Sequence, residues 1–221
     1  MTEAIYAYYP VFRAARRGAD APDPSHEVHE AEILFKEWSD RVQVRGTYST
    51  GGFRTDSDLM MWWVAREPDD VQDLFVEFRR SALGARLEPS HAFMGLVRPA
   101  EFTADHAPAF VKGEAPRKYL CVYPFVRTPE WYLLPAERRS ALLREHGELG
   151  RRFPEVLANT TSAFGLSDWE WILAFEADEL DRLVECIRLL RTAEARLYTK
   201  VEVPFVTGIR KELAAAVRDL A

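Results

Sequence analysis

Between Arg117 and Gly150 the chain gathers a phenol, a guanidinium, an indole and an imidazole, in the order RKYLCVYPFVR, TPEWYLLP, AERRSALLREHGELG. If the first segment is a strand, two-residue alternation puts Tyr119, Cys121, Tyr123, Phe125 and Arg127 on one face. That face is amphipathic and suits a large flat ligand with carboxylates at its rim. In the helix expected after it, Leu142, Leu143, His146, Leu149 and Phe153 form one stripe, and Arg138, Arg139, Arg144 and Arg151 mostly fall outside it. His146 should therefore point inward among leucines. A neutral imidazole so placed can ligate the iron of a haem, and Gly147 beside it leaves room for a macrocycle. The same two side chains could equally be core residues with their polar atoms satisfied, so pattern alone leaves the ligand reading open.

The elements that would position these groups read as a duplication. Ser57-Asp58, an aromatic-rich strand and the helix DDVQDLFVEFRR have a counterpart in Ser167-Asp168, a strand with Trp169 and Trp171, and the helix DELDRLVECIRLL. A glycine turn, Gly51-Gly52 or Gly165, precedes each. Upstream of each copy a further strand and helix are expected: Ala4 to Phe12 with Val28 to Trp38, and Lys118 to Val126 with Pro135 to Phe153. Strands at Asp40 to Tyr48, Glu88 to Val97, Val156 to Ala163 and Leu197 to Val203 complete two β-α-β-β-α-β units. The expected fold class is α+β: tandem ferredoxin-like repeats, 1–112 and 113–221, each an antiparallel sheet with helices on one face, able to form a dimeric-type α+β barrel within one chain. Gly208 to Leu220 is expected as a closing helix. Pro124, which cannot donate to a ladder, marks an edge or a bulge. His106 lies in EFTADHAPAFVKGEAP between the halves, where a segment could fold over a site in the second half.

Composition sets outer limits. The 221 residues are 48% hydrophobic and 29% charged with a formal net charge of −6, which is not the balance of a nucleic-acid binder. An anionic ligand would need a local basic pocket. The two cysteines, Cys121 and Cys186, lack metal or disulfide spacing. No signal peptide or transmembrane run is evident, and a reducing cytoplasm is the expected location. P-loop, GxGxxG, HExxH and GxSxG patterns are absent, and the carboxylates are scattered, which removes the commonest nucleotide, zinc and hydrolase sites.

Taken together, GGFRTDSDLMMWW (Gly51 to Trp63), YPFVRTPEWYLLP (Tyr123 to Pro135), REHGELGR (Arg144 to Arg151) and EVPFVTG (Glu202 to Gly208) resemble the chlorite dismutase superfamily, and within it the actinobacterial-type coproheme decarboxylases. The resemblance covers nearly the whole chain. It implies iron coproporphyrin III as both substrate and redox cofactor, bound in the second half, and hydrogen peroxide as oxidant. Two propionates would become vinyl groups through a tyrosyl radical, giving haem b. It further implies His146 as the proximal iron ligand, Tyr123 as the radical residue and His106 as the distal base. Trp131 would stand near the propionates, which Arg127, Lys118 and Arg196 would meet. A homopentamer and a transient contact with a ferrochelatase-type enzyme are also implied; a membrane is not. One position departs from chlorite-degrading members. Their distal arginine, thirteen residues after the proximal histidine, is Asn159 here, which argues against chlorite as substrate. A haem peroxidase or residual chlorite-degrading activity, a porphyrin carrier without turnover, and a haem-free barrel are the competing expectations.

Overall fold

The computed structural model describes residues 4–14, 23–97 and 107–220. Two compact units divide the chain: Met1–Val97 with Val206–Ala221, and Arg98–Phe205. The closing segment of the chain thus belongs to the first unit, where the sequence had assigned it to the second half.

In the first unit β1 (Tyr6–Ala14), β2 (Val42–Ser49), β3 (Leu59–Ala65) and β4 (Leu87–Leu96) lie in the antiparallel order β4-β1-β3-β2. Helices α1 (Ser25–Glu37) and α2 (Pro68–Arg80) pack on one face, with the short α3 (Ala82–Arg86) after them. Pro68 opens α2, Asp69 and Asp70 stand at its positive end, and Arg79 and Arg80 at its negative end. Val71, Leu74 and Phe78 turn inward onto Tyr8, Phe12, Leu59, Met61 and Trp63. Tyr9, Met60 and Trp62, on the other face of the sheet, are also fully buried.

The expected closing helix is in fact a strand and then a helix. β9 (Val206–Lys211) extends the first sheet by pairing with β2, Thr47 opposite Lys211, and only Leu213–Arg218 is helical (α7). Packing decides this: Gly208 lies so close to β2 that a Cβ there would sit 2.8 Å from Tyr48 Cβ, an approach only glycine permits.

The second unit repeats the plan. It contains β5 (Tyr119–Arg127), α4 (Pro129–Leu133), α5 (Ala136–Gly150), β6 (Leu157–Ser162), β7 (Trp171–Ala177), α6 (Leu180–Leu190) and β8 (Thr199–Val201), with strand order β6-β7-β5-β8. Numbered within their own units, both sheets run 4-1-3-2, the ferredoxin-like order. The two glycine turns also match: Gly52 and Gly165 have φ of 84° and 75°, and single bridges close Gly51–Arg54 and Phe164–Ser167. The strand expected at Leu197 is shorter, because a 3-10 turn, Glu194–Tyr198, precedes β8. Pro124 pairs with Ile172, and the irregularity in β5 comes later, between Val126 and Arg127. Among the described residues no helix is long and apolar enough to cross a membrane.

Candidate functional site

Pairing with β7 fixes which way β5 faces. Tyr123 lies opposite Leu173 and Cys121 opposite Phe175, and Cys121 and Tyr123 join an apolar cluster with Phe175, Ala177 and Leu183 of α6. The Tyr123 ring stacks on Phe205, with centroids 4.3 Å apart. Burial, and next the negative charge of Glu202, push the phenol well above its usual pKa, so it stays protonated.

Arg127 ends the same face of β5. Its Nη1 donates to Ala195 O at 2.9 Å, and its guanidinium lies 4.0 Å from the centre of the Trp131 ring. The backbone N–H of Arg127 donates to Glu170 Oε2 at 2.7 Å, and the Tyr132 hydroxyl donates to that oxygen at 2.6 Å. Burial lowers the guanidinium to about 10, against the nearby Tyr132, Glu170 and Glu202. It therefore remains a cation at neutral pH, in surroundings that favour a carboxylate partner.

Trp131 is buried in α4, where Pro129 occupies the first turn. It packs with Leu142 of α5 and with Ala195, and Leu134, Leu143 and Tyr198 lie against this group. These apolar side chains of α5 therefore gather around Trp131, in a cluster separate from that of Tyr123. His146 is half-buried, one turn further along α5. Burial, helped by the positive charge of Arg127, lowers its imidazole to about 4. It is neutral at physiological pH and keeps a nitrogen lone pair for a metal. Among the described residues no group of three or more His, Cys, Asp or Glu side chains could hold a bare metal ion. A metal meeting His146 would bring most of its own ligands, as a metalloporphyrin does.

Arg127 thus connects Trp131, His146 and the turn that carries Arg196, while Tyr123 lies on the same strand face in a separate cluster. Arg196 is in the 3-10 turn, next to the carbonyl that accepts from Arg127. Lys118 stands apart, exposed before the far end of β5, about 30 Å of strand from Arg127. His106 lies outside the described residues.

Asn159 takes an unexpected role. It pairs with Ala174, so its side chain lies on the sheet face opposite Tyr123. There it is buried, accepts from Phe110 N at 2.9 Å and donates to Glu176 Oε1 at 3.1 Å, while Glu176 Oε2 accepts from Arg117 N at 3.0 Å. This pair fastens the segment from Phe110 to Arg117 to the sheet. The β6 residues on the face of Tyr123 are Ala158 and Thr160, both exposed, and Ser162, which is half-buried.

Sequence reasoning missed Arg191, Glu170 and Glu202. Glu202 pairs with both Arg191 and Arg196 and accepts a hydrogen bond from Arg196. Its place at the head of EVPFVTG was the available signal. Glu170 lay unremarked between Trp169 and Trp171.

Two 4-1-3-2 sheets in one chain, the second unit with a histidine on a helix and a tyrosine on a strand, define a tandem ferredoxin-like α+β protein. The family model described as Chlorite dismutase matches residues 25–211, and the chain belongs to the chlorite dismutase family. It is 46% identical over 207 residues to the coproheme decarboxylase of Mycolicibacterium smegmatis, covering 93% of this chain and 89% of that one. With the coproheme decarboxylase of Thermus thermophilus it shares 27% over 158 residues, 64% and 63% of the two chains. The fold matches chlorite dismutase from Candidatus Nitrospira defluvii in complex with imidazole, with a TM-score of 0.88 and 24% identity over 98% of this chain and 94% of that one.

Proposed function

We propose that this protein is a coproheme decarboxylase, converting two propionates of iron coproporphyrin III to vinyl groups with hydrogen peroxide and releasing haem b. The observation that carries the reading is a desolvated, neutral phenol and a partly buried guanidinium on one strand, with that guanidinium near enough to a neutral imidazole on the next long helix to lower its pKa. The name of the relative that is 46% identical supports it. So does the face of Tyr123 on β6, whose residues Ala158, Thr160 and Ser162 include no cation to hold an oxychlorine anion.

In this reading the bound iron porphyrin, substrate and redox centre in one, supplies the oxidising power when peroxide is present. His146 holds the metal through its free nitrogen. Arg127 uses one arm on Ala195 O and has N–H groups left for a propionate carboxylate, which fixes the side chain to be oxidised. His106 takes the proton of peroxide and returns it to the leaving oxygen. Tyr123 cannot ionise first, because burial opposes the phenolate, so its electron and proton leave together. The resulting radical removes a hydrogen atom from the propionate β-carbon. Loss of a second electron lets the carbon–carbon bond to the carboxylate break. Each round turns one propionic acid and one peroxide into a vinyl group, carbon dioxide and two waters. The reading also carries a homopentamer in the cytoplasm, in transient contact with a ferrochelatase-type enzyme.

Mass spectrometry of coproheme incubated with limiting peroxide tests the activity directly. Wild-type protein should give the one-vinyl and then the two-vinyl product. Tyr123→Phe should bind coproheme as well as wild type and form vinyl at least about 1000-fold more slowly. Vinyl formation at the wild-type rate by this variant would remove Tyr123 from the chemistry.

A further inference from the structure

Two arginines of the second unit share one carboxylate. Glu202 Oε2 forms an ion pair with Arg191 Nη1 at 2.7 Å and accepts a hydrogen bond from Arg196 Nη1. The glutamate side chain is only 15% exposed, whereas those of Arg191 and Arg196 are 36% and 38% exposed. The group borders the candidate site on two sides. The Arg191 guanidinium lies 5.9 Å from the centre of the Phe205 ring, which stacks on Tyr123. Arg196 follows Ala195, whose carbonyl holds Arg127.

A carboxylate between two arginines is the arrangement an anionic ligand would itself adopt. Each guanidinium has five N–H donors, more than one glutamate can use. Both cations are more open to solvent than the carboxylate they hold, and their long side chains can turn toward an incoming anion. We propose that Glu202 is a resident carboxylate that occupies the Arg191–Arg196 pair when no anionic ligand is bound, and that a porphyrin carboxylate displaces it. The proposal rests on the coproheme reading. It adds Arg191 to the binding residues and makes Glu202 a competitor of substrate. Exchange of one guanidinium–carboxylate pair for another gains little free energy. This corner would thus select for a carboxylate without trapping the product, because Glu202 can return as the porphyrin leaves.

The test uses full-length protein and iron-free coproporphyrin III, with binding followed by fluorescence at several salt concentrations. Glu202→Gln should bind about fivefold to tenfold tighter than wild type and lose affinity more steeply with salt. Glu202→Asp, whose shorter carboxylate reaches the arginines less well, should fall between them. Adding Arg196→Gln to Glu202→Gln should remove the gain. Equal or weaker binding by Glu202→Gln, with an unchanged melting temperature, would make Glu202 a fixed support and overturn the proposal. If Glu202→Gln does not fold, Glu202→Asp decides, and binding no tighter than wild type overturns it. Wild-type protein that takes up neither coproporphyrin III nor its iron complex would instead overturn the coproheme reading itself.

Discussion

The register pairs Tyr6 with Ala65 in the first unit and Tyr119 with Ala177 in the second, so β1 matches β5 and β3 matches β7 residue by residue. Toward its helices the first unit turns Tyr8, Phe12 and Trp63. The second turns Cys121, Phe125 and Phe175 at the same positions, and Tyr123 where the first has Pro10. In the first unit Trp63 meets Tyr8, Phe35 and Phe78 with ring centroids 5.7, 6.1 and 6.1 Å apart, and α1 and the sheet share one apolar cluster. In the second, Leu142 and Leu143 of α5 pack around Trp131 instead, and Tyr123 belongs to another cluster. One scaffold is therefore closed by rings in one copy. In the other the rings divide, Tyr123 stacking on Phe205 beside Phe175 while Arg127 and Trp131 form a separate group with α5.

The sharpest way to break this comparison is to exchange filling between the copies. Trp63→Ala should cost about 3–5 kcal/mol in denaturant unfolding, because the surrounding rings cannot collapse into the void. Leu173→Trp in the second unit should cost less than about 1 kcal/mol yet weaken coproporphyrin binding tenfold or more, to about a tenth of the wild-type affinity. If Leu173→Trp destabilises the fold as overpacking does, the second layer is already full and the contrast fails.

A smaller effect separates the copies by pH. His146 titrates near 4 in the native protein and near 6.5 as a free side chain. Between those values the unfolded chain binds a proton that the native chain refuses, so stability falls as pH drops from about 6.5 to 4 and levels off below. The loss attributable to His146 is at most about 3 kcal/mol. His146→Gln should flatten the ligand-free unfolding profile over that window, and an unchanged slope would mean that the imidazole is more open than its surroundings indicate.

The smallest expected change concerns Arg127. Arg127→Lys keeps the charge but loses the Nη1 bond to Ala195 O and the stacking on Trp131. Coproporphyrin binding should weaken about fivefold, roughly 1 kcal/mol. An equal affinity would show that only the charge is read at this position.

Much of the architecture was legible because it repeats. Period-two alternation in YLCVYPFVR and a helical stripe through Leu142 and His146 are local properties of the chain, and they put Tyr123, Arg127 and His146 on the right elements. The part of β9 from Gly208 to Lys211 was misread as helix because its state depends on a distant partner: β2 offers an edge, and Gly208 fits closely beneath Tyr48. The side of the sheet on which Asn159 lies was likewise hidden, since it depends on register against β7 and not on distance from His146. Glu202 was passed over because a lone carboxylate in a loop looks like any other until Arg191 and Arg196 close on it.

The chain by itself determined the two β-α-β-β-α-β units, the elements that carry the phenol, guanidinium and imidazole, and the family whose motifs they match. Those features follow from periodicity and turn chemistry over a few residues. Tertiary structure alone decided that Tyr123 and His146 are held neutral, that Arg127 is braced by Ala195 and Trp131, and that Glu202 fills the arginine pair. Protonation and ion pairing depend on which distant groups exclude water or bring charge, and only the folded packing sets that.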